Sequence, residues 1–162
     1  MVTGEAPHKR IKPEPGVELR LEMGALAAAD EEGVEASALE AERPGPSYSY
    51  RTLELLAADE PERDLWFLLG ADMAAGLPEW RSPERVVELA RLGIVPRAGV
   101  GMGAVRSVLD RFGAAGRAEI IDMPLCGVSS TLIRERAAAG RPLRHLVPDP
   151  VASLIAEREL YR

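Results

Sequence analysis

Short apolar runs alternate with helix-patterned segments along most of this chain, and that alternation restricts the fold more than any other feature. Leu65-Trp66-Phe67-Leu68-Leu69 is a continuous apolar run closed by Gly70. Leu92–Val95 is a second, ending at Pro96, and Ala118–Ile121 a third. Val34–Leu39 alternates like a short fourth strand. Between and around them lie helical patterns at Gly16–Ala29, Ser49–Ala58, Pro83–Ala90, Gly103–Phe112, Leu132–Ala139 and Asp149–Leu160. Pro83 suits a first helical turn because it has no N–H to lose there. Strands spaced by helices predict an α/β fold with a doubly wound parallel sheet. Continuous apolar strands suit a sheet covered on both faces.

Such sheets bind ligands at the carboxyl ends of their strands. Four segments fall there: Glu40–Ser49, Gly70–Trp80, Pro96–Gly103 and Cys126–Arg134. The opening Ala6–Lys9 is a fifth candidate. The last of the four, through Val128-Ser129-Ser130-Thr131-Leu132-Ile133-Arg134, has the composition of a phosphate site. A helix's first turn presents unpaired N–H groups and partial positive charge. Ser129, Ser130 and Thr131 add hydroxyls, and Arg134 adds a cation where the helix alone disfavours one. The same residues also suit an ordinary serine N-cap followed by a solvated arginine.

The other segments carry two readings each. Two prolines and a glycine fix the backbone of Arg43-Pro44-Gly45-Pro46-Ser47-Tyr48-Ser49-Tyr50, and Ser47 or Ser49 can cap the helix that follows. Asp72, just past the run closed by Gly70, suits a ribose hydroxyl contact or the cap of a short helix at Met73–Ala75. Trp80 in Leu77-Pro78-Glu79-Trp80 suits stacking on a flat ring or service as a packing lid. His8 and Lys9 suit contact with a phosphate or an unexceptional polar start.

Composition narrows the classes. The 162 residues are 46% hydrophobic and 28% charged, ordinary for one globular domain with a core. A formal charge of −6 argues against a general nucleic-acid binder, so an anion site here is local. No run approaches the roughly 18 apolar residues that span a membrane. The one cysteine, Cys126, excludes an internal disulfide, fits a reducing cytoplasm and reads as a small packing residue. His8 and His145 are far apart, and no Cys/His group has metal-ligand spacing.

In their order, these segments resemble the bacterial nicotinate-nucleotide adenylyltransferase family. The resemblance rests on Pro7-His8-Lys9, Arg20-Leu21-Glu22-Met23, Arg43-Pro44-Gly45-Pro46-Ser47-Tyr48-Ser49, Gly70-Ala71-Asp72, Leu77-Pro78-Glu79-Trp80, Arg97-Ala98-Gly99, Val128 to Arg134, and Pro142-Leu143-Arg144-His145-Leu146-Val147-Pro148. The Ser-Ser-Thr-x-Ile-Arg and Arg-Pro-Gly-Pro-Ser-Tyr runs are its specific parts. It implies a Rossmann-like nucleotidyltransferase domain over residues 1–162. It implies transfer of the adenylyl group of ATP to nicotinate mononucleotide, with Mg²⁺ carried mainly by phosphates and water. By the resemblance, Ser129, Ser130, Thr131 and Arg134 hold the ATP phosphates. Lys9, with His8, faces them, and Lys9 and Arg134 are the catalytic pair. Ser49 seats the nicotinate carboxylate, Trp80 stacks on the pyridine and Asp72 holds a ribose.

The departures are equally specific. The family opens with a Gly-Gly-Thr-Phe-Asp-type loop and a His-x-Gly-His pair, and neither stands in this sequence. The expectation is therefore an N-terminally incomplete domain lacking a strand–helix–strand unit of roughly 30 residues, poorly folded and nearly inactive alone. Ser49 stands where the family has Thr, Tyr50-Arg51 follow it, Ala98 replaces Pro and His145 replaces an aromatic. Two alternatives accompany the reading: a related nucleotidyltransferase with another acceptor, and a non-catalytic nucleotide-binding protein. No oligomeric state follows from the sequence.

Overall fold

Three parallel strands form the sheet: β1 (Trp66–Gly70), β2 (Arg91–Val95) and β3 (Ala118–Ile120), in the order β1-β2-β3 among the described residues. A computed structural model of the chain describes residues 1–3, 15–124 and 126–162. Trp66 pairs with Arg91 and Gly70 with Val95, while Leu92 pairs with Ala118 and Ile94 with Ile120. The helices are α1 (Val17–Ala28), α2 (Ser49–Asp59), α3 (Ala71–Ala75), α4 (Pro83–Leu89), α5 (Met102–Arg111), α6 (Ser130–Ala138) and α7 (Asp149–Glu157). Short 3-10 turns occupy Leu77–Glu79 and Ala115–Arg117. The α/β class with a parallel sheet is thus the observed one.

The chain divides into two compact units, Met1–Ser47 with Gly127–Arg162, and Tyr48–Cys126. In Tyr48–Cys126 the core lies on one face of the sheet. Leu69, Leu92 and Ile94 pack there against Leu53 of α2, Ala74 of α3, Val86 of α4 and Val105 of α5. Leu92, Ile94, Val86 and Val105 are fully buried. Parallel strands need such crossovers, because a tight turn cannot bring the chain back in the same direction. Arg85 of α4 adds ion pairs to Glu54 of α2 at 3.2 Å and to Glu88 at 2.6 Å. These carboxylates raise its guanidinium pKa further above the ordinary arginine range.

The opposite face differs from the expectation of a fully covered sheet. Leu92, Gly93 and Ile94 of the central β2 are all buried. Along β1, however, burial alternates, and Trp66 and Leu68 are 42% and 62% exposed. A continuous apolar run at an edge strand therefore behaves as a half-covered one. Leu68 and Ile121 lie over Gly93, where a Cβ would collide with Leu68 Cδ2 and come within 2.9 Å of Ile121 Cδ1.

In the other unit, Ile133 and Ala137 of α6 pack with Leu143 and with Val151 and Ile155 of α7. Met23 and Leu26 of α1 cover this cluster. Three sequence expectations fail locally. Residues 34–38 run as coil instead of a strand. Val34 is 58% exposed, and one bond from Val2 N–H to the Ser37 carbonyl (3.1 Å) replaces a ladder. Alternation of side chains cannot make a strand without a partner to take its backbone bonds. Cys126 is exposed, not packed, because it lies in the coil beyond β3. Helix α6 begins at Ser130, two residues before the predicted Leu132.

The two faces of the sheet differ in their mutational cost. Leu92→Ala lowers unfolding free energy by about 2–5 kcal/mol, as for buried leucines generally, whereas Leu68→Ser stays within about 0.5 kcal/mol, as for exposed sites. Urea denaturation followed by circular dichroism checks both, and equal losses would contradict the one-sided core.

Candidate functional site

In α6 the residue that caps the helix also shapes its N-terminal end. Ser129 is the N-cap, with φ −133 and ψ 156, and its Oγ accepts the Leu132 N–H at 3.1 Å. The Ser129 carbonyl accepts the Ile133 N–H at 3.0 Å, closing the first helical turn. The N–H groups of Ser130 and Thr131 then have no intrahelical acceptor. Their hydroxyls stand beside them on exposed residues. Arg134 folds back on this end, donating from Nη2 to Thr131 Oγ1 at 3.3 Å. The guanidinium is thus drawn toward the positive end of the helix, an arrangement that an anion would relieve. The cap reading of the serine run is the observed one for Ser129, while the hydroxyls of Ser130 and Thr131 and the Arg134 guanidinium stand at the open helix end.

The α6 end opens on a cavity of about 500 Å³. Ser129, Ser130 and Arg134 line its polar side, and Met23, Ile133 and Val151 part of its apolar side. That volume lies within the range of small-molecule sites. Arg20 also lines it and donates to the Thr3 carbonyl.

A second group of candidates stands in Tyr48–Cys126. Ser49 is the first residue of α2, but the cap position belongs to Tyr48, which makes no side-chain capping bond. Neither Ser47 nor Ser49 therefore caps the helix as predicted, and no acidic residue stands in its first turn. Gly45 has φ +82, the conformation its neighbouring prolines lead into and a side chain would resist. Trp80 follows the 3-10 turn and is half-buried, its ring meeting Phe67 edge-on at 6.1 Å and 73°. The adjacent Arg81 lies 5.7 Å over the Tyr48 ring, so the segment after Trp80 meets the residue before Ser49. Asp72 lies in the first turn of α3, whose cap position is Gly70, so it is not the cap residue. Its carboxylate faces Arg97 Nε at 3.5 Å.

Sequence reasoning missed Arg81 and Arg97 as partners in these groups. A lone arginine in a loop has no spacing pattern, and only its place after β2 pointed to Arg97. His8 and Lys9 lie outside the described residues. Among the described residues no group of three or more His, Cys, Asp or Glu side chains is placed to hold a metal ion. No helix among them is long and apolar enough to cross a membrane.

Comparison with known proteins bears on these groups. A cytidylyltransferase-like family matches residues 1–136. A protein of Symbiobacterium thermophilum named as a probable nicotinate-nucleotide adenylyltransferase is 40% identical over 159 residues, covering 97% of this chain and 76% of that protein. A Roseiflexus protein of the same name is 41% identical over 160 residues, covering 98% of this chain and 79% of that one. This chain belongs to the nicotinate-nucleotide adenylyltransferase family. A solved relative shares the fold: the Plasmodium falciparum nicotinic acid mononucleotide adenylyltransferase complexed with NaAD has a TM-score of 0.72 at 17% identity, covering 94% of this chain and 78% of that one.

Mutation distinguishes the cap residue of α6 from its neighbour. Ser129→Ala costs about 1 kcal/mol of stability, the usual loss for a helix cap, and Ser130→Ala, one residue inside, costs a few tenths at most. Thermal denaturation checks this, and equal losses would mean that Ser129 is not the cap.

Proposed function

We propose that this chain transfers the adenylyl group of ATP to nicotinate mononucleotide, releasing pyrophosphate and forming deamido-NAD, a step in NAD biosynthesis. The observation that carries it is the free end of α6: two N–H groups, two hydroxyls and the returned Arg134 guanidinium beside a cavity. Family membership supplies the reaction, and that cluster supplies its chemistry.

The reaction needs no covalent enzyme intermediate. A phosphate oxygen of the acceptor attacks the α-phosphorus of ATP in line. A new P–O bond forms, the bond to the bridging oxygen of pyrophosphate breaks, and that oxygen keeps the electron pair. Catalysis is then positioning and stabilisation of charge spreading onto the phosphates. Ser129, Ser130, Thr131 and Arg134 hold the ATP phosphates in this reading. The family resemblance assigns Lys9 and His8 to the same phosphates. Arg134 and Lys9 are the catalytic cations, since they meet the negative charge that builds on the departing pyrophosphate.

The acceptor's recognition is assigned to the other group. Ser49 and the uncapped first-turn N–H groups of α2 seat the nicotinate carboxylate, favoured there by the helix dipole. Trp80 stacks on the pyridine ring and Asp72 accepts bonds from the ribose hydroxyls. Mg²⁺ would be held mainly by the ATP phosphates and water, where it would offset phosphate charge, and no side chain is assigned to it. We place the reaction in the cytoplasm, where an exposed free thiol such as Cys126 persists reduced.

The test supplies ATP and Mg²⁺ with nicotinate mononucleotide, nicotinamide mononucleotide or phosphopantetheine, and follows the adenylylated product and pyrophosphate by chromatography. Nicotinate mononucleotide is the preferred acceptor. Turnover only with phosphopantetheine would establish a different acceptor class, and binding of ATP without any turnover a non-catalytic protein. Arg134→Ala lowers kcat/KM by about 10²–10³, the usual loss for one charge-stabilising donor. A change below about threefold, under 1 kcal/mol of transition-state stabilisation, would remove Arg134 from the catalytic pair.

A further inference from the structure

Arg81 follows Trp80 in the segment that leads into α4, and its guanidinium carbon lies 5.7 Å over the Tyr48 ring. Tyr48 holds the cap position of α2, one residue before Ser49. A single contact between a cation and a ring thus brings the segment after Trp80 to the start of α2. Arg81 is exposed, and such a contact at an exposed site contributes only about 0.5–1 kcal/mol. A tyrosine ring would accept an apolar neighbour as readily, so support of the fold does not account for a charge here.

The backbone around Arg81 is nevertheless fixed on both sides. Before it, the Trp80 N–H donates to the Leu77 carbonyl at 3.0 Å. After it, Ser82 takes φ +51 and ψ 56, the left-handed region that a side chain resists. The buried Pro83 comes next, and a proline ring keeps the residue before it out of the right-handed helical region. The Ser82 carbonyl then accepts the Arg85 N–H at 3.1 Å. A side chain carried on such a backbone has less freedom to lose when it meets a ligand.

The charge of Arg81 is uncommitted. Arg85 pairs with Glu54 and Glu88, and Arg97 with Asp72. Arg51, over the Tyr50 ring, donates from Nε to the Tyr50 hydroxyl at 3.1 Å. Among the described residues the Arg81 guanidinium has no polar partner. A guanidinium resting on a ring keeps its in-plane N–H groups for another acceptor, and their fork matches a carboxylate. No acidic residue stands in the first turn of α2 to compete for it.

We propose that Arg81 is a specificity-determining residue: its guanidinium pairs with the nicotinate carboxylate and so selects nicotinate mononucleotide over nicotinamide mononucleotide. This deepens the adenylyl-transfer reading and rests on it. The carboxylate lies in the plane of the pyridine ring. A ring stacked on Trp80 therefore presents it at the edge of the stack, beside the residue next to Trp80. A carboxamide in that place carries no charge, and its NH₂ group sets donor against donor.

The experiment measures the Kd of each mononucleotide for the full chain by titration calorimetry, so its reading does not depend on turnover. Wild type binds nicotinate mononucleotide more tightly. Arg81→Met weakens that binding about tenfold, the value of a hydrogen bond to a charged group, and leaves the Kd of nicotinamide mononucleotide within about twofold. Arg81→Lys loses no more than about threefold, because the point charge remains and only the fork is lost. Arg51→Met, which removes an equal charge from the neighbouring ring, leaves the preference unchanged. Three results would overturn the proposal: equal weakening of both ligands in Arg81→Met, a Lys variant no better than the Met variant, or the same loss of preference in Arg51→Met. Any of these, in a chain whose wild type binds nicotinate mononucleotide, withdraws Arg81 alone. A wild type that binds neither mononucleotide withdraws both readings.

Discussion

Parallel pairing of Trp66–Gly70 with Arg91–Val95 is the constraint that arranges the whole of Tyr48–Cys126. Strands running the same way cannot be joined by a hairpin, so the chain must climb back along a helix before each new strand. That return places α3 and α4 between β1 and β2, and α5 between β2 and β3. Burial then follows. Leu92 and Ile94 lose all contact with water because Val86 and Val105 arrive on those crossovers. The same geometry collects Asp72 and Arg97 at one end of the sheet, since every crossover starts from the strands' carboxyl ends.

The residues of Gly127–Arg162 solve a different problem. A helix must satisfy its first N–H groups, and α6 satisfies one through Ser129 while leaving two others open. Open donors at an exposed helix start cost little, because water can take them. They become useful when a multiply charged anion replaces that water. A chain with net charge −6 repels such an anion at long range. Any attraction for one must come from short-range groups, and in the proposed reading Arg134 with the α6 end supplies them.

Much of this was legible before any coordinates. The strand at residues 66–70 differs from the predicted 65–69 by one residue, and α2, α4, α5 and α7 begin within one residue of their expected starts. Those segments carry strong local signals: Pro83 at a helix start, Gly70 at a strand end, apolar residues at helical spacing. The serine cap of α6 was legible for the same reason, because Ser129, the neighbouring hydroxyls and Arg134 lie within six consecutive residues. The Val34–Leu39 expectation failed where the local signal was real but no partner strand stands beside it among the described residues. The cap expectation for Ser47 and Ser49 failed because α2 begins at Ser49 itself, leaving Tyr48 outside.

By itself the sequence determined the family, the α/β class and the serine cap that starts α6, since each depends on residues close together in the chain. Tertiary structure alone decided that β1 is open on one side, that Cys126 is exposed, and that Arg97 meets Asp72. Those facts turn on which strands are neighbours and in what register. Hydrogen bonds between main chains set that register, and they are the same for every residue type, so no side-chain pattern records it.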